Sequence, residues 1–213
     1  MRTEDLIRTL AEDTQVGPSP RRSLRLATLG SVAFVAVLFW VTMGPRPDVP
    51  ELLTGSWRFA LKVAFALSLA LLAARGVLRL ANPVESPRRA ALDLLPAVLL
   101  LALGVAAEAY SKAGADVMLR LAIGHNGRIC LVSIMTLSAA PLAAMLYAMR
   151  DGAPASATAT GALIGVTSAA FAAAFYALHC TDDSPLFVAL WYTIGIAAVT
   201  AVGALLGHKL LRW

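Results

Sequence analysis

Six long blocks of almost unbroken apolar residues, divided by short polar and turn-forming stretches, set the pattern of this chain. They fall at roughly 24–43, 59–81, 91–110, 129–149, 157–178 and 186–207. Each is near the ~20 residues a helix needs to cross the hydrocarbon of a bilayer. The blocks are continuous, whereas a transmembrane β-strand alternates, so a β-barrel is disfavoured. Turn chemistry punctuates them: Gly44-Pro45-Arg46-Pro47, the stretch from Asn82-Pro83 to Arg89, Lys112 to Arg128, Arg150-Asp151-Gly152-Ala153-Pro154, and Thr181-Asp182-Asp183-Ser184-Pro185. The pattern predicts an all-α fold, a six-transmembrane-helix bundle over 23–213 preceded by a leader over 1–22. The first block follows Arg21, Arg22 and Arg25, as the apolar core of a secretory signal follows its basic segment. It is too long for a signal core and has no clear small-residue cleavage site, so it is expected to be a true span.

Composition narrows the class further. Of 213 residues, 59% are hydrophobic and only 15% charged, against about 25% charged in an ordinary soluble domain. The net charge of +5 is scattered between apolar blocks, so it orients helices and forms no face for direct nucleic-acid binding. With the leader placed inside, the cytoplasmic segments hold Arg2, Arg8, Arg21, Arg22, Arg25, Arg75, Arg79, Arg88, Arg89, Arg150, Lys209 and Arg212. The opposite side holds Arg46, Arg58, Lys62, Lys112, Arg120 and Arg128. Twelve against six, over short loops, predicts both termini on the cytoplasmic side.

That topology makes the two cysteines informative. Cys130 opens the fourth span and Cys180 follows the fifth, and the turn around Ala155 lies midway between them. Folded there, both stand ~37 Å from the turn at 1.5 Å per residue, at the same outer end of antiparallel neighbours. Each has polar company, in His125-Asn126-Gly127-Arg128-Ile129-Cys130 and in His179-Cys180-Thr181-Asp182-Asp183. Thiolates and imidazoles suit soft or borderline metal ions, and paired thiols suit reversible oxidation. Three readings stay open at this point: a thiol sensor or transient heavy-metal site, a static disulfide, and plain packing of small apolar side chains.

Other features carry less chemistry. Glu108, Lys62, Arg75 and Asp93 lie near span ends, where charged groups are expected to reach the interface. Gly161 and Gly165 stand four apart, as do Gly203 and Gly207, a spacing that lets helices approach closely within the bundle. Pro96 and Pro141 fall inside predicted spans, where a proline is as often a structural kink as a functional hinge. There is no nucleophile–base pair, phosphate loop or metalloenzyme motif, so neither catalysis nor a constitutive cofactor is expected. In the leader, Thr3 can cap a short helix, Glu4 and Asp5 suit its N-terminus, and Leu6, Ile7 and Leu10 share one side. Such a helix would be ordered by the bilayer surface or by a partner groove.

Two stretches carry a resemblance. The leader Met1-Arg2-Thr3-Glu4-Asp5-Leu6-Ile7-Arg8-Thr9-Leu10-Ala11 is similar to the N-terminus of the six-helix anti-sigma membrane regulators, the negative-regulator-of-sigma-F family. The stretch Tyr176-Ala177-Leu178-His179-Cys180-Thr181-Asp182-Asp183-Ser184-Pro185-Leu186-Phe187-Val188-Ala189-Leu190-Trp191-Tyr192 resembles that family's most distinctive motif. The resemblance implies a protein that holds an extracytoplasmic-function sigma factor at the inner membrane and releases it under heavy-metal or oxidant stress. It makes Cys130 and Cys180 the sensing pair; His179 and Asp182 or Asp183 match the motif, and their chemistry, with that of His125, makes them expected metal ligands beside the thiols. Leu6, Ile7, Leu10, Glu4 and Asp5 become the expected sigma-factor contacts. Two readings of another class, a small metal-ion or solute transporter and a membrane thiol oxidoreductase, lack the inverted repeats, mid-membrane charges and quinone site that would mark them.

Overall fold

The computed structural model describes residues 19–82, 84–111, 114–150, 152 and 154–211. Residues 1–18 of the leader, with the expected sigma-contact residues Glu4, Asp5, Leu6, Ile7 and Leu10, lie outside the described residues, as do Lys112, Asp151 and Arg212. The chain runs through α1 (Pro20–Thr42), α2 (Val49–Gly55), α3 (Trp57–Leu80), α4 (Pro87–Leu92), α5 (Leu95–Ser111), α6 (Ala115–Ile123), α7 (Gly127–Met149), α8 (Ala157–Ala177) and α9 (Pro185–Leu210). Within α9 one π-helical turn covers Val188–Tyr192. No strand occurs among the described residues. Among the described residues six helical segments are long and apolar enough to cross a membrane: α1, α3, α4–α5, α6–α7, α8 and α9. Their positions follow the six apolar blocks, except that the fourth segment starts earlier, with α6 at Ala115.

Local chemistry explains where the helices start. Ser56 accepts a hydrogen bond from the Phe59 amide and opens α3, and Ser156 does the same for Ala159 at the head of α8. Pro20 opens α1 and Pro185 opens α9, at the position where a missing N–H costs nothing. Pro96 belongs to this group. It is the second residue of α5, and the break at Asp93-Leu94 just before it interrupts the α4–α5 span, as a proline inside a span is expected to do. Pro141, by contrast, does lie inside α7.

The core is organised around α8, which packs on α9, α3 and α7 and touches α1. Small residues make this possible. A Cβ on Gly161 would stand 2.3 Å from the Gly203 carbonyl oxygen and 2.7 Å from the Gly207 Cα, and one on Gly165 would stand 2.7 Å from the Val199 oxygen. The two glycine pairs read from the sequence therefore face each other across the α8–α9 contact, which is backbone against backbone. The outer helices pack less. α5 leans mainly on α3, and α1 lies along α7 while meeting α3 only lightly. Two short helices, α2 and α6, had no counterpart in the sequence reading, and neither buries a residue completely.

Candidate functional site

One end of the bundle gathers the ends of α1, α8 and α5, the starts of α3, α7 and α9, and the loop over 178–184 between α8 and α9. Cys130 lies in the first turn of α7 and Cys180 just beyond α8; both are free thiols and both are buried. Cys180 is among the groups that act electrostatically on Cys130, and Asn126, four residues before Cys130, bonds Asp182, two residues after Cys180, so the pair lies at one end of the hairpin as its symmetry anticipates. Tyr176 and Tyr192 close it from below, fully buried with ring centroids 6.3 Å apart. The Tyr192 hydroxyl has no hydrogen-bond partner there, and it projects from the π-helical turn. Such turns break the regular ladder and frequently mark functional positions.

The loop is held over the thiols by a buried ionic latch. The Lys62 ammonium, wholly enclosed, donates to the Cys180 carbonyl oxygen at 2.8 Å and to the Asp183 carboxylate. Arg46 donates to the same carbonyl oxygen at 3.1 Å and to the other Asp183 oxygen at 2.6 Å. Its backbone N–H donates to the Leu178 carbonyl, and its guanidinium lies 4.6 Å above the Phe59 ring. A second ionic group sits beside the first. Glu108, also wholly enclosed, pairs with Arg58 at 2.8 Å and accepts from the Ser184 hydroxyl and the Leu186 amide, so it braces the head of α9. Lys62 and Glu108 were expected to extend to the interface. They turn inward instead, because each finds partners there that compensate the cost of burying its charge.

Asp182 has a different task. The sequence makes it a candidate metal ligand, but its carboxylate accepts from the His125 amide at 3.1 Å, the Asn126 amide at 2.8 Å and the Asn126 side chain at 3.1 Å. α7 has no side-chain cap of its own at Asn126. Asp182 supplies that cap from a distant part of the chain, placing negative charge at a helix N-terminus. The His125 ring is almost fully exposed, with Nδ1 3.6 Å from Asp182. His179 Nδ1 bonds the Gly44 carbonyl oxygen at 2.9 Å, which fastens the loop to the end of α1. Gly44 has φ +66, a left-handed conformation that favours glycine. Thus the structure brings the two thiols together and disperses the polar candidates into structural bonds. Among the described residues no three of His, Cys, Asp and Glu form a group that could hold a metal ion.

The structure also adds roles that the sequence reading did not give: the buried ionic contacts of Lys62, Arg46, Asp183, Glu108 and Arg58, and the enclosed rings of Tyr176 and Tyr192. A charged residue standing within an apolar block was the available signal for Lys62 and Glu108.

The Cys180 thiol lies outside the spans, and burial pushes its pKa up, with Lys62 pulling in the opposite direction. A raised thiol pKa keeps the neutral form dominant at neutral pH and delays the reactive thiolate to higher pH. In a Cys130→Ser variant, maleimide labelling of the remaining thiol should therefore be slow at pH 7. It should keep rising beyond the ordinary thiol pKa of about 8.5. A labelling rate that levels off at or below pH 8 would contradict the burial seen here.

Comparison with known proteins bears on this arrangement. The family model described as negative regulator of sigma F matches residues 10–213. The chain belongs to that family. Within the family, it is 34% identical to the anti-sigma-F factor NrsF of Caulobacter vibrioides over 217 residues, covering 100% of both chains. It is likewise 34% identical to a probable anti-sigma-F factor NrsF of Azospira oryzae over 221 residues, again covering 100% of both. No solved structure matches the chain. Membership covers all six spans, both cysteines and the latch, so these features belong to the family region and not to an appended domain.

Proposed function

We propose that this protein is a membrane-bound anti-sigma factor, a regulator and not an enzyme. It sequesters a sigma factor of the extracytoplasmic-function class at the cytoplasmic face of the bacterial inner membrane, and lets it go when the Cys130–Cys180 pair meets a heavy-metal ion or an oxidant at the periplasmic face. Family membership over residues 10–213 carries the anti-sigma part of this reading. Support for the sensing part comes from the two thiols that share one buried neighbourhood directly under the loop carbonyls gripped by Lys62 and Arg46.

The mechanism follows from that placement. Oxidation of the thiols, or their coordination of a transient soft metal ion, moves the Cys180 backbone. Its carbonyl then leaves Lys62 and Arg46, and the loop bonds to Gly44 and Asn126 loosen with it. The repacked α7–α8 pair and α1 carry the change to the far end, where the leader, through Leu6, Ile7, Leu10, Glu4 and Asp5, grips the sigma factor. Moving such an equilibrium from 1:99 to 99:1 requires about 5.5 kcal/mol of differential affinity. Ligation or oxidation of two thiols is of that order.

Pull-down from the detergent-solubilised full chain, with and without residues 1–18, tests the partner. Capture of a sigma factor that depends on the leader is the expected result, and no capture by either form from a lysate containing sigma factors would overturn the reading. A Cys130→Ser, Cys180→Ser double variant is expected to keep capture but to lose at least about tenfold of the metal- or oxidant-induced release. Normal release by that variant would remove the thiols from the mechanism and leave the anti-sigma role intact.

A further inference from the structure

The end of the bundle opposite the thiols holds a feature that the anti-sigma reading does not use. Arg21 and Arg25 stand four apart on α1, and Arg75 and Arg79 stand four apart on α3, so each pair shares one face of its helix. The two faces meet across a cleft of about 500 Å³, floored by Leu71, Ala74 and Leu78. Only Arg79 has an ionic partner among the described residues, Asp93. The remaining guanidiniums enter no ion pair or hydrogen bond there, although they converge on one space.

The cleft is not closed at its apolar side. Leu71, 70% exposed, also borders a second hollow of about 210 Å³ further along α3, lined by Val32, Val63, Leu67, Phe171 and Phe175. Because α1 packs along α7 and meets α3 only lightly, the gap between α1 and α3 runs on from the basic end into the apolar hollow. From Arg75 to Leu67 is eight residues, or ~12 Å of helix. That compares with ~15 Å for one leaflet of hydrocarbon.

We propose that this groove binds an anionic phospholipid, with its phosphate against Arg21, Arg25 and Arg75 and one acyl chain laid past Leu71 into the hollow. Guanidinium groups match phosphate oxygens in charge and geometry, with up to two parallel bonds each. The apolar floor fits a chain that belongs in the bilayer. A free phosphate would use the basic end alone and leave the hollow without purpose. An acidic protein segment, from the leader or a partner, would satisfy the arginines without needing an apolar channel that faces lipid.

Native mass spectrometry of the full chain, exchanged into micelles doped with phosphatidylglycerol or phosphatidylethanolamine, tests the proposal. The wild-type chain should retain phosphatidylglycerol at least about tenfold better. The Arg21→Gln, Arg25→Gln, Arg75→Gln variant should lose that preference while melting at an unchanged temperature. Leu71→Trp, which fills the groove and leaves every arginine, should weaken retention of both lipids. Equal retention of the two lipids by the wild-type chain would overturn the proposal. Undiminished preference in the triple variant would do so as well. If the variant kept its lipid but lost sigma-factor capture, the cleft would be a protein contact and the lipid proposal would fall.

Discussion

Lys62→Met should loosen the outer end of the bundle and release the sigma factor without any inducer. Met keeps the length of the side chain and removes its charge. The Cys180 carbonyl then loses its closest donor, and the Asp183 carboxylate keeps only Arg46. Removing one partner of a buried ion pair typically costs about 3–5 kcal/mol, because the other charge stays enclosed. For a chain of this size that corresponds to a fall in melting temperature on the order of 10 °C. Thermal unfolding in detergent and a reporter gene under the sigma factor read the two effects separately. A variant that melts normally and keeps the reporter silent would show that the latch holds nothing.

Gly161→Leu should disrupt the bundle more severely. The obstruction is backbone on the facing helix, the Gly203 oxygen and the Gly207 Cα, and backbone cannot rotate out of the way. Even Gly161→Ala must push α8 and α9 apart. Overpacking of this kind costs about 1–3 kcal/mol for small changes and more for large ones. Leu is expected to give an aggregating or unfolded product by size-exclusion chromatography, and Ala a stable but lower-melting one. Gly30→Ala is the matched control: a Cβ there meets nothing within 4 Å, and the substitution should be neutral or mildly stabilising. Equal behaviour of the three variants would mean that the α8–α9 contact is looser than described.

The spans were legible because the bilayer imposes one strict demand, about 20 apolar residues per crossing, and this chain meets it six times with clear breaks between. The thiol pair was legible for a related reason: two residues equidistant from a turn must reach the same end of a hairpin. Lys62 was not. Its place near a span end is plain from the sequence, but whether it points outward or inward depends on the rotation of α3 about its own axis. It depends also on an acceptor 121 positions away. The roles of Asp182 and Asp183 were undecidable for a similar reason. Adjacent carboxylates in one loop serve different elements, one capping α7 and the other closing the latch. α2 and α6 escaped notice because short helical segments before a span carry no length requirement that would expose them.

The bonds from the loop to the end of α1 have a mechanical consequence. His179 holds Gly44, and the Arg46 backbone holds Leu178, so the loop that carries Cys180 is fastened to one tip of a 23-residue helix about 34 Å long. α1 makes its main contact with α7 and lighter ones with α8 and α3, so a tilt about the α7 contact moves it as a lever. A tilt of roughly 5° at that tip moves the opposite one by about 3 Å over this length. That displacement is comparable to a hydrogen bond, and it falls where the helix meets the leader.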